Sequence, residues 1–298
     1  AGELPLWDPR TGLGFPLLAD FQSGAFYLPH LFFLLFPFFT AVKAVFFFHY
    51  LISATGSYAL CRRWEFPPFL ALIGALLFTF GGVVVSLSNL LNHFQTAVWL
   101  PWGMFFWERF LRGRRWGDFL MLVLVLTLQF LGGSPELYVM NSALLLIDGF
   151  RVRSEFGVAR PFRSLFLYAA ANVVVIGVAM VQVMPTLELF LQSRGYRAIL
   201  YEESALWSLD PLSLINLFFI DKEVDPELLS GMHLFFLWEI PFFISHYAGA
   251  IGMLGVAFWV LDSGRKEKAL VLGLLMVTLI LAMGNHTPVY PVLFRYIP

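Results

Sequence analysis

The chain has 298 residues, of which 59% are hydrophobic and only 13% are charged, and its mean hydropathy is +0.77. Charged residues make up about a quarter of ordinary soluble domains, so this composition excludes a soluble enzyme and indicates a protein embedded in a lipid bilayer. The net charge of −1 gives no basis for nucleic-acid binding, and the single cysteine, Cys61, excludes an intramolecular disulfide and a cysteine-based metal centre.

The first 37 residues form a polar, turn-rich segment that we interpret as an outer loop. Within it, segment 25–36 is apolar but too short to cross a bilayer, so it predicts an interfacial or re-entrant helix. The later apolar stretches predict about eight transmembrane helices, at 38–60, 67–88, 94–111, 117–132, 136–150, 164–191, 243–261 and 267–284,.

Three of these spans depart from the usual length. Spans 117–132 and 136–150 are short, so we expect them to be tilted or to cover only part of the bilayer. Span 164–191 would be about 42 Å long as a helix, whereas the hydrocarbon core is about 30 Å thick. We therefore expect its last turns to project beyond the core or to kink.

The distribution of Lys and Arg predicts the orientation. Most of them fall in connections 61–66, 108–118, 151–163 and 262–268, which the positive-inside rule assigns to the cytoplasm. The N-terminal segment then faces outward, together with connections 89–93, 132–136, 192–242 and 285–298. The predicted location is the cytoplasmic membrane, with several passes.

These features predict an all-α fold, a polytopic transmembrane bundle with a single domain over residues 1–298. Its predicted parts are an outer loop and interfacial helix at 1–37, six spans in 38–191, a long outer loop at 192–242, two spans in 243–284 and an outer segment at 285–298.

Acidic residues concentrate in the predicted outer connections, which indicates a site at that face, although solvation of the loops is an alternative. His93 offers acid–base chemistry near neutral pH, and Asn92 and Gln95 flank it; a histidine at the membrane interface is the alternative. Glu136 follows two glycines and a proline. It suits a helix N-terminus, or it borders a ligand that approaches the glycine backbone closely.

Six sequence blocks resemble, in order, those of bacterial YfhO-type membrane proteins, and they are spread over nearly the whole chain. Asp8 stands where that family usually has Asn, and Ser134 where it commonly has His. The blocks are GELPLWDPRTGLGFPLLADFQSGAFYLPHLFF, NHFQTAVWLPWGMFFWERFL, GGSPELYVM, VQVMPTLELFLQSRGYR, DPLSLINLFF and HYAGAIGMLGVAFWVL.

The resemblance implies a GT-C-type glycosyltransferase, which transfers a sugar from a polyprenyl-phosphate carrier to an acceptor outside the cytoplasmic membrane. It also implies a catalytic carboxylate in the first outer loop. We expect the chain to be truncated at both ends and a key acid to precede Ala1, so that Asp20 is the nearest carboxylate left in that loop. The implied acceptor is an envelope glycopolymer such as teichoic acid.

The predicted catalytic residues are Asp20, His93 and Glu136. The predicted substrate-binding residues are Asp8, Gln22, Asn92, Gln95, Gln182, Glu188, Arg194 and Arg197. Among these, Arg194 and Arg197 suit a phosphate, because guanidinium binds phosphate in a bidentate manner. A divalent metal would suit the leaving phosphate, but no motif for a metal is present, and the cofactors stay unknown.

Two other functions fit the sequence. The first is a lipid or sugar transporter or flippase, which typically has broken helices and ionisable groups near the midplane. The second is a non-catalytic membrane scaffold subunit. The span centres are nearly free of charge, with Gln129 and Asn172 as the main polar exceptions, and this favours chemistry at the surface over a transport path.

Overall fold

The computed structural model describes residues 6–10, 12–156, 161–192, 201–205, 208, 209, 211, 214, 217, 247–261 and 268–296. Within these residues the regular structure is helical, apart from an isolated antiparallel bridge between Asp8 and Phe15. The predicted all-α fold class is therefore confirmed. The α-helices are α1 (Phe32–Leu35), α2 (Phe38–Arg63), α3 (Pro68–Thr79), α4 (Gly82–Leu87), α5 (Leu91–Ala97), α6 (Leu100–Gly113), α7 (Trp116–Leu131), α8 (Pro135–Phe156), α9 (Pro161–Val178), α10 (Met180–Gln192), α11 (Tyr201–Ser204), α12 (Ala250–Leu261), α13 (Lys268–Ala282) and α14 (Val289–Tyr296).

Among the described residues, two helical stretches are long and apolar enough to cross a membrane. They are Phe38–Arg63, with 26 residues, and Pro68–Leu87, with 20 residues, the latter formed by α3 and α4 together. The pair Ser164–Val178 and Met180–Gln192 makes a third if it is one broken span. Association with a membrane is therefore plausible from the structure, and the count of about eight spans stays a prediction.

Helix α2 shows how the sequence sets the bounds of a span. It begins directly after Pro37, whose backbone is extended, and it ends on Arg62 and Arg63. Positive charges in the last turn stabilise the negative end of the helix dipole. α3 then packs along α2, and Ser53 and Thr79 form a buried hydrogen bond of 3.0 Å between their hydroxyls.

The predicted kink in span 164–191 is present. The chain bends by 77° between α9 and α10, with Ala179 at the break. The bend lies upstream of Pro185, which sits inside α10. The last turns therefore leave the direction of α9 instead of extending it.

Two compact units divide the chain, one formed by residues 1–79 and 87–193 and the other by 80–86 and 194–298. In the first unit, α6, α7, α8 and α9 surround a hydrophobic core. Its largest buried side chains include Trp107, Leu122, Leu126 and Leu145. Four-helix packing of this kind buries the apolar faces that single helices would leave exposed.

In the described part of the second unit, short contacts join its segments. Tyr290 donates its hydroxyl to the carbonyl of Ser204 at 2.9 Å, and the backbone N–H of Leu209 donates to the carbonyl of Ala282 at 2.8 Å. The ring of Tyr201 packs edge-on against Phe294 at 5.3 Å.

Helix α7 separates two polar ends of the first unit. Its 16 residues correspond to about 24 Å at 1.5 Å per residue. We call the end near its first turn the arginine end, defined by Arg63, Glu108, Asp118 and Arg151. We call the other end the glycine end.

The glycine end is defined by Gly24, Asn92, Gly133 and Glu136. It brings together the N-terminal segment and the connections 89–93 and 132–136, all of which the sequence assigns to one face.

Candidate functional site

The glycine end holds a close histidine–carboxylate pair. His93 Nε2 lies 2.6 Å from Glu136 Oε1, and the side chain of His93 is 9% exposed whereas that of Glu136 is 49% exposed. Helix α8 positions the acid, because Pro135 and Glu136 form its first turn and proline suits the first helical position. The carboxylate is therefore about half exposed, and the buried imidazole lies behind it.

Asn92 lies on the opposite side of the imidazole. Its Nδ2 donates to the carbonyl of Gly133 at 3.2 Å, and its Oδ1 lies 3.0 Å from His93 Nδ1. The structure thus brings together three of the residues predicted for the site. Burial lowers the pKa of His93 below its ordinary value, while the nearby Glu136 carboxylate raises it and offsets part of this shift.

Ser134 also belongs to this cluster. The sequence analysis noted it only because YfhO-type proteins commonly have His at this position. Its side chain is buried, and its Oγ donates to Glu136 Oε1 at 2.7 Å. A serine two residues before the acid was the available signal in the sequence. Oε1 of Glu136 therefore contacts both Ser134 and His93.

The glycine pair has a structural role at this end. A Cβ on Gly132 would lie 2.9 Å from Thr96 Oγ1, and one on Gly133 would lie 3.2 Å from the carbonyl of Phe21. Gly133 also has φ +96°, which side-chain-bearing residues rarely adopt. What approaches the glycine backbone closely is thus the N-terminal segment and α5 of the same chain.

The N-terminal segment is fixed by predicted site residues. Asp20 caps the short 3-10 helix Phe21–Ser23, accepting a hydrogen bond from the backbone N–H of Gln22 at 3.0 Å. Gln182 Nε2 donates to the carbonyl of Leu18 at 2.6 Å and to that of Asp20 at 3.3 Å. Asp20 and Gln182 therefore hold this segment in place, and roles in catalysis or substrate binding stay predictions for them and for the exposed Gln22.

Gln95 joins the segment to α5 through a histidine that the sequence reading missed. Its Nε2 lies 2.8 Å from His30 Nε2, and His30 Nδ1 lies 2.9 Å from the carbonyl of Gly24. A carbonyl only accepts, so Nδ1 carries the proton and Nε2 accepts from the Gln95 amide. Burial lowers the pKa of His30, since the charged form loses its hydration,.

A second buried chain of hydrogen bonds runs beside it. Trp99 Nε1 donates to the Tyr27 hydroxyl at 2.8 Å, and that hydroxyl lies 2.5 Å from His49 Nε2. His49 Nδ1 donates to the carbonyl of Val45 at 2.6 Å, so Nε2 accepts from Tyr27. Burial raises the pKa of Tyr27. This chain fastens the N-terminal segment to α2.

An apolar cavity of about 330 Å³ adjoins these hydrogen-bonded chains. Trp99, which anchors Tyr27, forms one wall, and α7 contributes Leu128. The remaining lining residues are Leu28, Pro29, Leu31, Phe32, Leu35 and Phe48. The volume falls within the range of small-molecule sites, and the lining suits a hydrocarbon chain.

The remaining predicted residues lie apart from the pair. Asp8 bonds to the backbone N–H of Arg10 at 3.0 Å within its own turn, and Glu188 accepts from Gln192 on the exposed surface of α10 at 3.1 Å. Arg194 and Arg197 lie outside the described residues. Within the described part of the chain, no group of three or more His, Cys, Asp or Glu side chains could hold a metal ion.

The arginine end has a different chemistry. Glu108 is fully buried and pairs with Arg63 at 3.2 Å, Arg112 at 3.5 Å and Arg151. Trp64 Nε1 also donates to Glu108 at 2.7 Å. This acid is enclosed by cations from three helices and has no surface open to a substrate.

Comparisons with known proteins add no family. Searches with family models, among curated proteins and among solved structures each found no match. The YfhO-type assignment therefore stays a prediction based on the ordered sequence blocks.

Proposed function

We propose that the chain is part of a GT-C-like membrane glycosyltransferase with about eight spans, which moves a sugar from a polyprenyl-phosphate carrier to a cell-envelope glycopolymer at the outer face of the cytoplasmic membrane. The observation that carries the proposal is the half-exposed Glu136 with His93 bonded behind it. This pair lies at the same end of the first unit as the apolar cavity.

The proposed reaction needs few groups. A hydroxyl of the acceptor attacks the anomeric carbon of the sugar while polyprenyl phosphate departs, and Glu136 takes the hydroxyl proton. The cavity beside Trp99 suits the isoprenoid chain of the carrier because its wall is apolar. Arg194 and Arg197 are the proposed partners of the phosphate.

Sugar transfer in a reconstituted system tests the proposal. The full-length protein in lipid vesicles receives a radiolabelled polyprenyl-phosphate hexose and an envelope glycopolymer, and labelled polymer is counted. We expect transfer with the wild type and a fall of about 10²–10⁴-fold in Glu136→Gln, the usual contribution of a general base. Glu65→Gln, at an exposed site outside the pair, serves as the matched control and should transfer as the wild type.

A second function has one observation in its favour. The 77° break between α9 and α10 is the kind of discontinuous helix that transporters use near their binding sites. The same vesicles distinguish the two functions. A transporter would move the labelled carrier between leaflets without forming labelled polymer, and the rate would not depend on Glu136.

A further inference from the structure

We propose that Glu136 and His93 act as one proton-holding unit that presents a single atom, Glu136 Oε2, to the substrate, with Asn92 and Ser134 as its positioning residues. The identity of the substrate hydroxyl rests on the proposed function, whereas the proton-holding unit rests on the hydrogen bonds alone. His93 is then a positioning residue and Glu136 the catalytic one.

The directions of the hydrogen bonds follow from the carbonyl of Gly133. A carbonyl only accepts, so the Asn92 amide nitrogen must be the atom that faces it,. This leaves Asn92 Oδ1, also an acceptor, against His93 Nδ1. His93 Nδ1 therefore carries a proton in every protonation state, and only Nε2 exchanges its proton.

The contact between His93 Nε2 and Glu136 Oε1 holds one proton. At 2.6 Å, the proton is either on the nitrogen, giving an imidazolium and a carboxylate, or on the oxygen, giving two neutral groups. Removing it would set two lone pairs against each other. The two residues therefore share this proton and act as one unit.

The second carboxylate oxygen of Glu136, Oε2, is the atom that can accept a proton from a substrate. Oε1 is occupied, since it also accepts from Ser134 at 2.7 Å, and within the described part of the chain Oε2 has no hydrogen bond of its own. Both His93 nitrogens are engaged. A substrate hydroxyl at this end thus meets Glu136 Oε2 and no nitrogen of His93.

The proton transfer balances whether the shared proton starts on His93 Nε2 or on Glu136 Oε1. The hydroxyl proton moves to Oε2 as its oxygen forms the bond to the anomeric carbon and the bond from that carbon to the phosphate oxygen breaks. The shared proton is then on Nε2, having stayed there or moved from Oε1. The unit ends with one additional proton, which returns to water after the phosphate leaves.

Within the part of the chain that the structure describes, few other charges face the unit. Asp20 lies in the N-terminal segment, and His30 reaches α5 through Gln95. α7 and α8 pack against α5; α7 has no charged residue near its C-terminal end, and α8 contributes Glu136 itself. Among the charges of the described residues, the Glu136 carboxylate is therefore the principal one acting on His93.

Nitrogen-15 NMR of the histidine-labelled full-length protein in nanodiscs tests the inference. The chain has 6 His residues, and His93→Gln assigns the signal of interest. We expect Nδ1 of His93 to remain protonated from pH 5 to 8 while Nε2 titrates. In Asn92→Asp the carboxylate still accepts from Nδ1, although it no longer donates to the Gly133 carbonyl, so the tautomer should persist. In Asn92→Leu the tautomer should be lost, and transfer should fall at least tenfold below that of Asn92→Asp.

The signal of His49, held by Tyr27 and Val45, shows in the same spectra whether each variant is folded. An unprotonated Nδ1 in the folded wild type would overturn the inference, as would an unchanged tautomer in folded Asn92→Leu. If the expected tautomers were observed but no sugar were transferred to any acceptor, the proton-holding unit would be supported and the proposed glycosyltransferase would be refuted.

Discussion

The two polar ends of the first unit each contain a carboxylate on a helix, but they use it in opposite ways. At the arginine end Glu108 is fully buried among Arg63, Arg112 and Arg151. At the glycine end the side chain of Glu136 is 49% exposed and, among the described residues, is bonded on one oxygen only. The first arrangement neutralises charge inside the protein, and the second leaves a carboxylate exposed.

The comparison teaches that the number of partners does not mark a functional acid. Glu108 has more partners than Glu136, but its side chain is fully buried among them, whereas half of the Glu136 side chain is exposed. A buried charge network of this kind is costly to break because the remaining charges stay buried without compensation. Substitutions at the two ends should therefore differ in what they damage.

The largest expected effect is at the arginine end. Glu108→Gln removes the charge that three arginines share, so we expect the free energy of unfolding to fall by about 3–5 kcal/mol. Thermal unfolding in detergent measures this loss. Glu65→Gln, which changes an exposed carboxylate at the same end, should leave the melting temperature unchanged. Equal melting temperatures for the two variants would show that the Glu108 network contributes no stability.

The second effect tests the turn at the glycine end. Gly133→Ala places a Cβ 3.2 Å from the Phe21 carbonyl at φ +96°, so the free energy of unfolding should fall by about 1–3 kcal/mol. The N-terminal segment should also detach, which limited proteolysis would report as faster cleavage near residues 12–24. Wild-type cleavage rates in this variant would mean that the segment does not depend on the turn.

The third effect concerns pH. Burial lowers the pKa of His30 in the folded chain, so its stabilising contribution is present above the unfolded pKa of about 6.5 and is lost as the pH falls below that value. In Gln95→Glu the new carboxylate accepts from a protonated Nε2 and raises this pKa, so the added stability should appear at low pH and be lost as the pH rises. Melting temperatures of wild type and variant from pH 5 to 8 show how the stability of each protein depends on pH. In each, the free energy of unfolding should change by at most about 1.4 kcal/mol per pH unit. If the melting temperatures of the two proteins changed with pH in the same way, His30 would be ruled out as the titrating group.

The smallest effect is a gain in stability. Gly117 is exposed in the first turn of α7, and a Cβ there would meet nothing within 4 Å. Gly117→Ala should therefore stabilise the protein by about 0.5–1 kcal/mol, because alanine loses less backbone entropy in a helix. A melting temperature below that of the wild type would show that this turn has a packing role.

Local features of the sequence predicted some helices but not the bounds of all of them, since the predicted span 94–111 is divided between α5 and α6 and α8 extends to Phe156. The apolar run before Arg62 and Arg63 predicted α2, and the excess length of segment 164–191 predicted either a projection beyond the core or a kink, of which the kink is present. Both predictions depend only on neighbouring residues. The clustering of Asn92, His93 and Glu136 could also be predicted, since these residues lie in two short connections, 89–93 and 132–136, that the sequence assigns to the same face.

The long-range contacts could not be predicted. His30 and Gln95 are 65 positions apart, and Gln182 and Leu18 are 164 positions apart, so no local pattern relates them. The same is true of Glu108, whose burial depends on three helices that meet only in the folded chain. The capping role of Asp20 required knowing that a 3-10 helix begins at Phe21.

The most direct test of the central claim compares Glu136→Gln with Glu108→Gln in one preparation, with sugar transfer counted per folded molecule and melting measured in parallel. The account predicts that Glu136→Gln melts as the wild type but loses about 10²–10⁴-fold in transfer, whereas Glu108→Gln melts earlier and its folded fraction still transfers. Wild-type transfer by folded Glu136→Gln would contradict it.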